Sequence, residues 1–407
     1  VIVVGAGVVG IACARFLQRD GNRVTVIDPR EPGDGASFGN AGIIATNLVH
    51  PIAMPGILRE IPRMLLDPYG PLTLRWRYLP RIAPWLWQLA KATRPDRVAA
   101  IAAGLAALAG RADNAWAELL RQAGAEDLLR RPGWLQVFSS QAAFARTTAE
   151  REVMRHHGVR FEVLGAEEIR QLEPALAPLC GQALWFPDCG FVLDPKRLAE
   201  RLAAAFVADG GTILRETVTG FEPADRVAAV VTDRGCHPAR AVVLAAGAWS
   251  RPLAARLGAR VPLDTERGYH LMFDTPEPGL RRPVLWADHH INLVPMMHGL
   301  RLTSGVEFAG LAAPPDYRRI DRLAGLARRM LPGLAAAPRS RWLGFRPSLP
   351  DSLPVLGRSR RHQGVYFAFG HQHLGVTLAA ISGRVIADLA ASRDPGIDLQ
   401  PYRAERW

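Results

Sequence analysis

An α/β fold in two parts is predicted by three features of this sequence. The chain opens on the apolar run Val1-Ile2-Val3-Val4, turns through Gly5-Ala6-Gly7-Val8-Val9-Gly10, continues as a helix-like segment and reaches a second apolar run ending in Asp28. Two further units of strand, glycine and helix lie far along the chain, at 241–250 and 365–377. Between them, residues 261–306 carry short runs of period-two alternation. The first two features predict a Rossmann-type domain around a parallel sheet, and the third a second, α+β domain built on an antiparallel sheet.

The opening unit is the most specific. Four β-branched residues read as a buried parallel strand, and residues 11–17 have the apolar spacing of the helix that follows. Gly5 allows the tight turn, Gly7 lets backbone approach a pyrophosphate, and Gly10 lets helix pack on strand. The pyrophosphate is expected on the free N–H groups at the helix start. Residues 24–27 form the second strand, and Asp28 stands at the spacing of an acid that binds ribose hydroxyls. These residues alone leave open whether the dinucleotide is FAD or NAD. The loop from Pro29 and Arg30 to Gly42 is dense in turn formers. Either it is a surface loop, or Ser37, Asn40, Ala41 and Gly42 wrap the cofactor, where small residues let backbone come close.

From Ser37 to Gly42 the chain resembles the amine-oxidising flavoprotein family that includes D-amino acid oxidase, glycine oxidase and bacterial D-amino acid dehydrogenase. The Ser-x-x-Asn-Ala-Gly arrangement looks most like the dehydrogenase branch. The resemblance covers essentially the whole chain. Residues 343–357 resemble the family's Gly-x-Arg-Pro segment followed by Pro-Asp-x-x-Pro-x-x-Gly, which implies that Arg346 pairs with a substrate carboxylate. A guanidinium fork matches two carboxylate oxygens and keeps its charge at any working pH. The Gly-His-x-x-x-Gly pattern is also kept, so His371, Gln372, His373, Leu374, Gly375, Val376 and Thr377 are expected to line the flavin pocket at a helix N-terminus. Val218 resembles the residue that meets adenine, and Ala246, Gly247 and Trp249 belong to a unit placed under the cofactor. Tyr269 sits where the family often has a pocket tyrosine that supports the carboxylate or covers the site; it reads equally as a sheet aromatic.

Three nucleotide-domain units scattered from first residue to last favour FAD, because an NAD enzyme normally completes its nucleotide fold in one block. No motif supports a covalent link through His50, so the FAD is expected to be held non-covalently. The FAD-binding domain is drawn from 1–45, 190–260 and 340–407, and the substrate domain from 46–189 and 261–339. Helices are expected at 98–124, 141–156, 194–208 and 318–331, with strands at 134–138, 161–164, 212–218, 269–273, 290–294 and 300–306.

Composition bounds the rest. At 407 residues with 49% hydrophobic content the chain is long enough for two domains. No run of about eighteen uncharged apolar residues appears. The numbering starts inside a strand without Met, so a few preceding residues are expected. Cys13, Cys180, Cys189 and Cys236 are scattered and read as reduced thiols. Two histidines without carboxylates nearby are a poor metal site, and no metal is expected. The net charge of +12 is spread through the chain and reads as an Arg-rich solvated surface. Residues 51–97 differ: eight prolines and the aromatics Tyr69, Trp76, Tyr78, Trp85 and Trp87 are interleaved with arginines. They fit either an amphipathic surface on anionic lipid or short helices packed on their own domain. A cytoplasmic location is expected, with peripheral contact on the inner face of the cell membrane as the variant these residues raise.

The resemblance implies an FAD-dependent dehydrogenase of D-amino acids, among them a D-proline or hydroxyproline type, passing electrons to a quinone or other carrier. Arg346 and Tyr269 would hold the substrate and His373 would line the reacting centre. An oxygen-using oxidase of D-amino acids, glycine or sarcosine is the close alternative. A tRNA-acting flavoprotein would need a basic stripe with stacking aromatics, and no nucleic acid partner is expected. A flavin carrier without catalysis is the remaining alternative.

Overall fold

The computed structural model describes residues 1–222 and 229–407. Its first sheet has six strands in the order Thr212–Leu214, Thr25–Ile27, Ile2–Val4, Val242–Leu244, Val365–Phe369 and Val355–Arg358. Every pairing is parallel except the last. The central strands are covered on both faces, which is why they read as unbroken apolar runs.

The helices over this sheet approach closely. Val8–Arg19 packs along Gly375–Ala390, and a methyl on Gly383 would come within 2.7 Å of the Ala12 backbone. Pro95–Ala123 lies over the same C-terminal helix, with Trp116 Nε1 donating to the carbonyls of Val376 (3.0 Å) and Thr377 (3.2 Å). Pro195–Ala208 starts on Asp194, whose carboxylate accepts the N–H groups of Lys196 and Arg197. Buried Arg15 ties it to the first helix through Asp209 at 2.6 Å. The stretch Gln372–Ala390 is long and apolar enough to cross a membrane, but 72% of it is buried, so its apolar character is that of a core helix.

The second sheet runs Ser340–Ser348, Asp264–Phe273, Gly299–Phe308, Ile291–Met296, Val284–Trp286, Trp134–Phe138, Gln182–Phe186 and Glu162–Gly165. It is antiparallel apart from two pairings: Val284–Trp286 with Trp134–Phe138, and Leu72–Leu74 with Gly299–Phe308. Its back face is covered by the helix Arg318–Met330 through Ile320, Leu323, Ala324 and Ala327. Its front face looks toward the first sheet. Residues 340–348, grouped by sequence with the nucleotide domain, form the edge strand of this second sheet.

Two segments expected to be continuous are broken. The helix over 141–156 divides at Thr147, whose hydroxyl donates to the Phe144 carbonyl at 2.8 Å. The strand expected over 212–218 ends at Leu214, and Val218–Glu222 pairs in a separate three-stranded sheet.

Residues 51–97 divide into buried and exposed side chains. Ile82, Trp85, Leu89 and Ala92 of the helix Leu79–Ala92 are buried. The helix Ile57–Leu66 buries no residue, and Leu66, Trp76 and Trp87 stand 83%, 70% and 64% exposed.

The contact at Gly383 is testable. Gly383→Val should separate the two helices and lower stability by about 2 kcal/mol, the scale of overpacking a core, read as a lower melting temperature.

Candidate functional site

One cavity of about 420 Å³ runs from the turn after the first strand to the front face of the antiparallel sheet. At its first end, Gly5 has φ +114°, and a side chain there would strike Ala245, so this turn requires glycine. A methyl on Gly10 would overlap the Gly5 carbonyl, whereas one on Gly7 would meet only Ser37 Oγ at 3.6 Å. The helix Val8–Arg19 has neither a side-chain cap nor an acid in its first turn. Ser37 Oγ accepts the Val8 N–H at 3.0 Å, and Asp28 accepts the N–H groups of Ala6 and Arg30, each at 2.9 Å. An open helix start beside the space left by Gly7, with a carboxylate at the next strand end, fits a dinucleotide pyrophosphate and ribose.

Ala6, Val8, Val9, Ala41, Ala246, Gly247 and Trp249 also line this end, with the Arg30 guanidinium 4.4 Å from the centre of the Trp249 ring. The Asn40 side chain lines the cavity and accepts the Gly42 N–H at 2.7 Å. Six expected cofactor residues lie outside the lining: Gly5 and Gly10, which shape the turn behind it, and Pro29, Gly42, Val218 and Thr377. Pro29 only follows Asp28 in the turn, and Val218 is half-buried at the start of its own small sheet. Gly42 makes room for the Val192 carbonyl, and Thr377 Oγ1 ties the loop down, accepting from Ala45 N–H at 3.0 Å and donating to the Ile43 carbonyl at 3.2 Å.

At the other end, the strands Asp264–Phe273 and Ser340–Ser348 pair in unbroken register. Residues directly opposite share a face, so Glu266 with Arg346, Gly268 with Gly344, and His270 with Trp342 form three rows on the front. A methyl on Gly268 would overlap the Arg346 guanidinium, and one on Gly344 would overlap the Trp342 indole. Arg346 therefore leans over Gly268 and Trp342 over Gly344, two glycines directly opposite each other in the ladder. Arg346 Nη1 donates to the Gly305 carbonyl at 3.1 Å, and among the described residues the guanidinium has no ion-pair partner. Burial lowers its pKa, and the nearby Glu266 offsets this only in part.

Tyr269 borders the cavity, but its hydroxyl is engaged elsewhere. It stands one residue beyond the glycine row, so its side chain leaves the sheet on the back face and packs against Tyr317, with ring centres 5.5 Å apart. Its hydroxyl donates to Glu307 at 2.5 Å and accepts the Asp316 N–H at 3.1 Å. Burial and the Glu307 carboxylate push its pKa up to about 12. The hydroxyl is thus committed to the scaffold and is turned away from Arg346.

The turn Gln372–Leu374 closes the cavity from the first sheet. His371 is buried, shares a hydrogen bond with Ser382 Oγ at 2.9 Å, and is pushed down to about 4 by burial. Gln372 donates to the Leu349 carbonyl at 2.7 Å. His373 is open to the cavity yet deep in the molecule. Burial, then the charges of Arg346 and His50, push it down to about 4, so it is a neutral imidazole near pH 7. Leu374, Gly375 and Val376 complete this wall, and the helix beginning at Gly375 has no side-chain cap.

Sequence reasoning missed several cavity residues. Glu266, Gly268 and Trp342 could have been found only by pairing two strands that lie 80 positions apart. Asn292 was missed as well; its Oδ1 is buried without a hydrogen-bond partner among the described residues. Arg301, from the next strand, donates to the carbonyls of Phe38 (3.1 Å) and Asn40 (2.6 Å), holding the cofactor loop against the second sheet. Burial pushes its pKa down to about 10, which leaves it charged at neutral pH.

Comparison with known proteins agrees with this arrangement. Residues 1–389 match the family model described as DAO, FAD dependent oxidoreductase. A D-amino-acid oxidase from Bradyrhizobium diazoefficiens is 38% identical over 415 residues, covering 100% of this chain and 98% of that protein. A D-amino acid dehydrogenase from Agrobacterium fabrum is 30% identical over 422 residues, covering 100% and 99%. Among solved structures, glycine oxidase from Geobacillus kaustophilus superposes with a TM-score of 0.76 at 23% identity, covering 100% of this chain and 98% of that one. L-proline dehydrogenase from P. horikoshii gives 0.74 at 19%, covering 100% and 96%. At these identities the structural likeness shows the fold.

The Arg301 clamp yields a prediction. Arg301→Met removes two hydrogen bonds from a charged donor, so FAD affinity should fall by about tenfold or more, read by titrating the stripped protein with FAD.

Proposed function

The chain belongs to the family of FAD-dependent oxidoreductases and is an FAD enzyme, and we propose that it catalyses the oxidative deamination of D-amino acids, with electrons passed to a quinone or other carrier. The observation that carries this reading is Arg346: a half-buried guanidinium, open to the cavity that also holds the dinucleotide cradle, that leans over Gly268 and has no ion-pair partner among the described residues. A charge so placed is complementary to a carboxylate, and its fork orients what it binds.

When bound, FAD supplies the acceptor for the hydride that leaves the substrate Cα. The residues of the chain bind and orient. Arg346 clamps the carboxylate over Gly268, and the Trp342 indole bounds the site over Gly344. Neutral His373 adds no positive charge to oppose an approaching amine. The uncapped helix start at Gly375 favours negative charge in the cavity next to it.

The electron acceptor divides the reading. The exposed Leu66, Trp76 and Trp87, interleaved with Arg59, Arg63, Arg77 and Lys91, support docking on an anionic lipid surface, where a quinone is dissolved. The 38% identity to a protein named D-amino-acid oxidase favours oxygen as the second reading. Oxygen consumption during turnover separates the two. A D-proline or hydroxyproline substrate would leave a cyclic imine and is included in the test.

The deciding experiment is an anaerobic absorbance titration of the flavin-loaded protein with D- and L-amino acids, including D-proline and cis-4-hydroxy-D-proline. Bleaching by D-isomers is expected, and bleaching by no amino acid overturns the reading. Arg346→Ala should raise the substrate concentration needed for reduction by about 10²-fold or more, the scale of removing one partner of a buried charge pair. In a sedimentation assay with anionic vesicles, Trp76→Ser with Trp87→Ser should reduce binding; undiminished binding would remove these residues from the lipid contact.

A further inference from the structure

The cavity holds a carboxylate that the reaction scheme has not used. Glu266 is 3% exposed, lines the cavity and lies directly opposite Arg346 in the strand register. No ion-pair partner within 4.0 Å of it is present among the described residues. The cavity's other acids, Asp28 and Glu31, stand at the nucleotide end, and Asp28 is engaged by the Ala6 and Arg30 N–H groups. A D-amino acid near neutral pH is a zwitterion. In a site closed to water its ammonium needs an acceptor as much as its carboxylate needs Arg346. At the Arg346 end of the cavity, Glu266 is the acid available.

We propose that Glu266 receives the substrate ammonium group and accepts one proton from it, so that the amine reaches oxidation uncharged. This inference rests on the amino-acid reading above. In the step, an N–H bond of the ammonium breaks, its electron pair stays on nitrogen, and the proton bonds to a Glu266 carboxylate oxygen. No oxidation occurs in this step, and the proton returns to water after product leaves. An amine lone pair is what assists hydride departure from Cα, so a base at this position sets the charge state that departure requires.

The groups facing Glu266 fit the role. Arg346 and Ser348 approach from the neighbouring strand and hold its pKa down, while Asp264 on its own strand and burial, the largest influence, raise it above the ordinary carboxylate range. Asp264 is itself occupied by the Tyr78 hydroxyl at 2.9 Å, with Arg251 near it. His373, across the cavity, is neutral, with His50 beyond it. A raised carboxyl is a stronger base than an ordinary one, and its basic form is lost as pH falls through that raised value. Activity of the wild-type protein should therefore show an acid limb above the usual carboxylate range.

The test is Glu266→Gln, followed by anaerobic flavin reduction with D-alanine across pH. Near neutral pH the variant should be slower by about 10²-fold, the lower end of what a general base supplies. The deficit should close as pH approaches the point at which the substrate amine is uncharged in water. A second readout is ligand binding, followed as the perturbation of the flavin spectrum by propionate, which carries a carboxylate and no amine. Propionate should bind the Gln variant more tightly than the wild type, because a repelling charge is gone. A merely structural role beside Arg346 predicts the opposite, a parallel loss for both ligands with no change in pH profile, and would overturn the inference. Glu266→Asp keeps a carboxylate and covers a Gln variant that does not fold: its acid limb should move, and an unmoved limb counts against Glu266. If no D-amino acid reduces the wild-type flavin, the functional reading fails and this inference with it. If the wild type is reduced and the Gln variant matches its profile, only the role of Glu266 falls.

Discussion

The antiparallel ladder between Asp264–Phe273 and Ser340–Ser348 is the constraint on which the site depends. It runs without a slip from Asp264 opposite Ser348 to Met272 opposite Ser340. Side chains alternate along a strand, so a shift of one residue would send Arg346 and Glu266 to the back face and bring Arg267 and Tyr269 to the cavity. The register thus divides one short motif into chemistry and scaffold. Glu266 and Gly268 face the cofactor cavity, while Arg267 and Tyr269 meet Glu307 on the other side, with Arg75 2.6 Å from the same carboxylate. The neighbouring strand contributes an irregularity: its pairing slips between Arg267 and Tyr269, and Gly305 within the slip has φ +79°. A bulge re-aims backbone groups, and here the Gly305 carbonyl holds Arg346 in place.

The same economy appears in the nucleotide domain. Its six-stranded sheet is assembled from the start, middle and end of the chain, so each helix start reaches the cavity only because the strand before it is correctly inserted. Close approaches lock that order. Gly5 lies against Ala245, and Gly383 lies against Ala12, so the first and last helices meet backbone to backbone. Two helix starts whose own N-cap residues supply no side-chain cap, at Val8 and Gly375, then open on one cavity. The helix at Pro195, which does not line it, is capped by its own Asp194.

Residues 51–97 show how composition can support two readings that packing then shares out. Trp85 and Trp87 are neighbours in sequence, and one is buried against Phe308 while the other is exposed beside Lys91. Helical spacing makes this unavoidable, since positions two apart point to different sides of a helix.

The amino-acid order by itself determined the strand, glycine turn, helix and terminal acid of the first thirty residues, the later nucleotide units, the period-two strands of the second sheet and the candidacy of Arg346. All of these are written in residues close in sequence: periodicity, turn formers and caps act over a few positions. It could not place Tyr269, because a pocket tyrosine and a sheet aromatic look alike until the face is known. It did not reveal Glu266, Trp342, Asn292 or Arg301, whose partners lie on other strands or on the cofactor loop. Only the tertiary structure decided those, because the face a strand residue occupies is set by its register with a strand 80 positions away, and register is a property of long-range pairing.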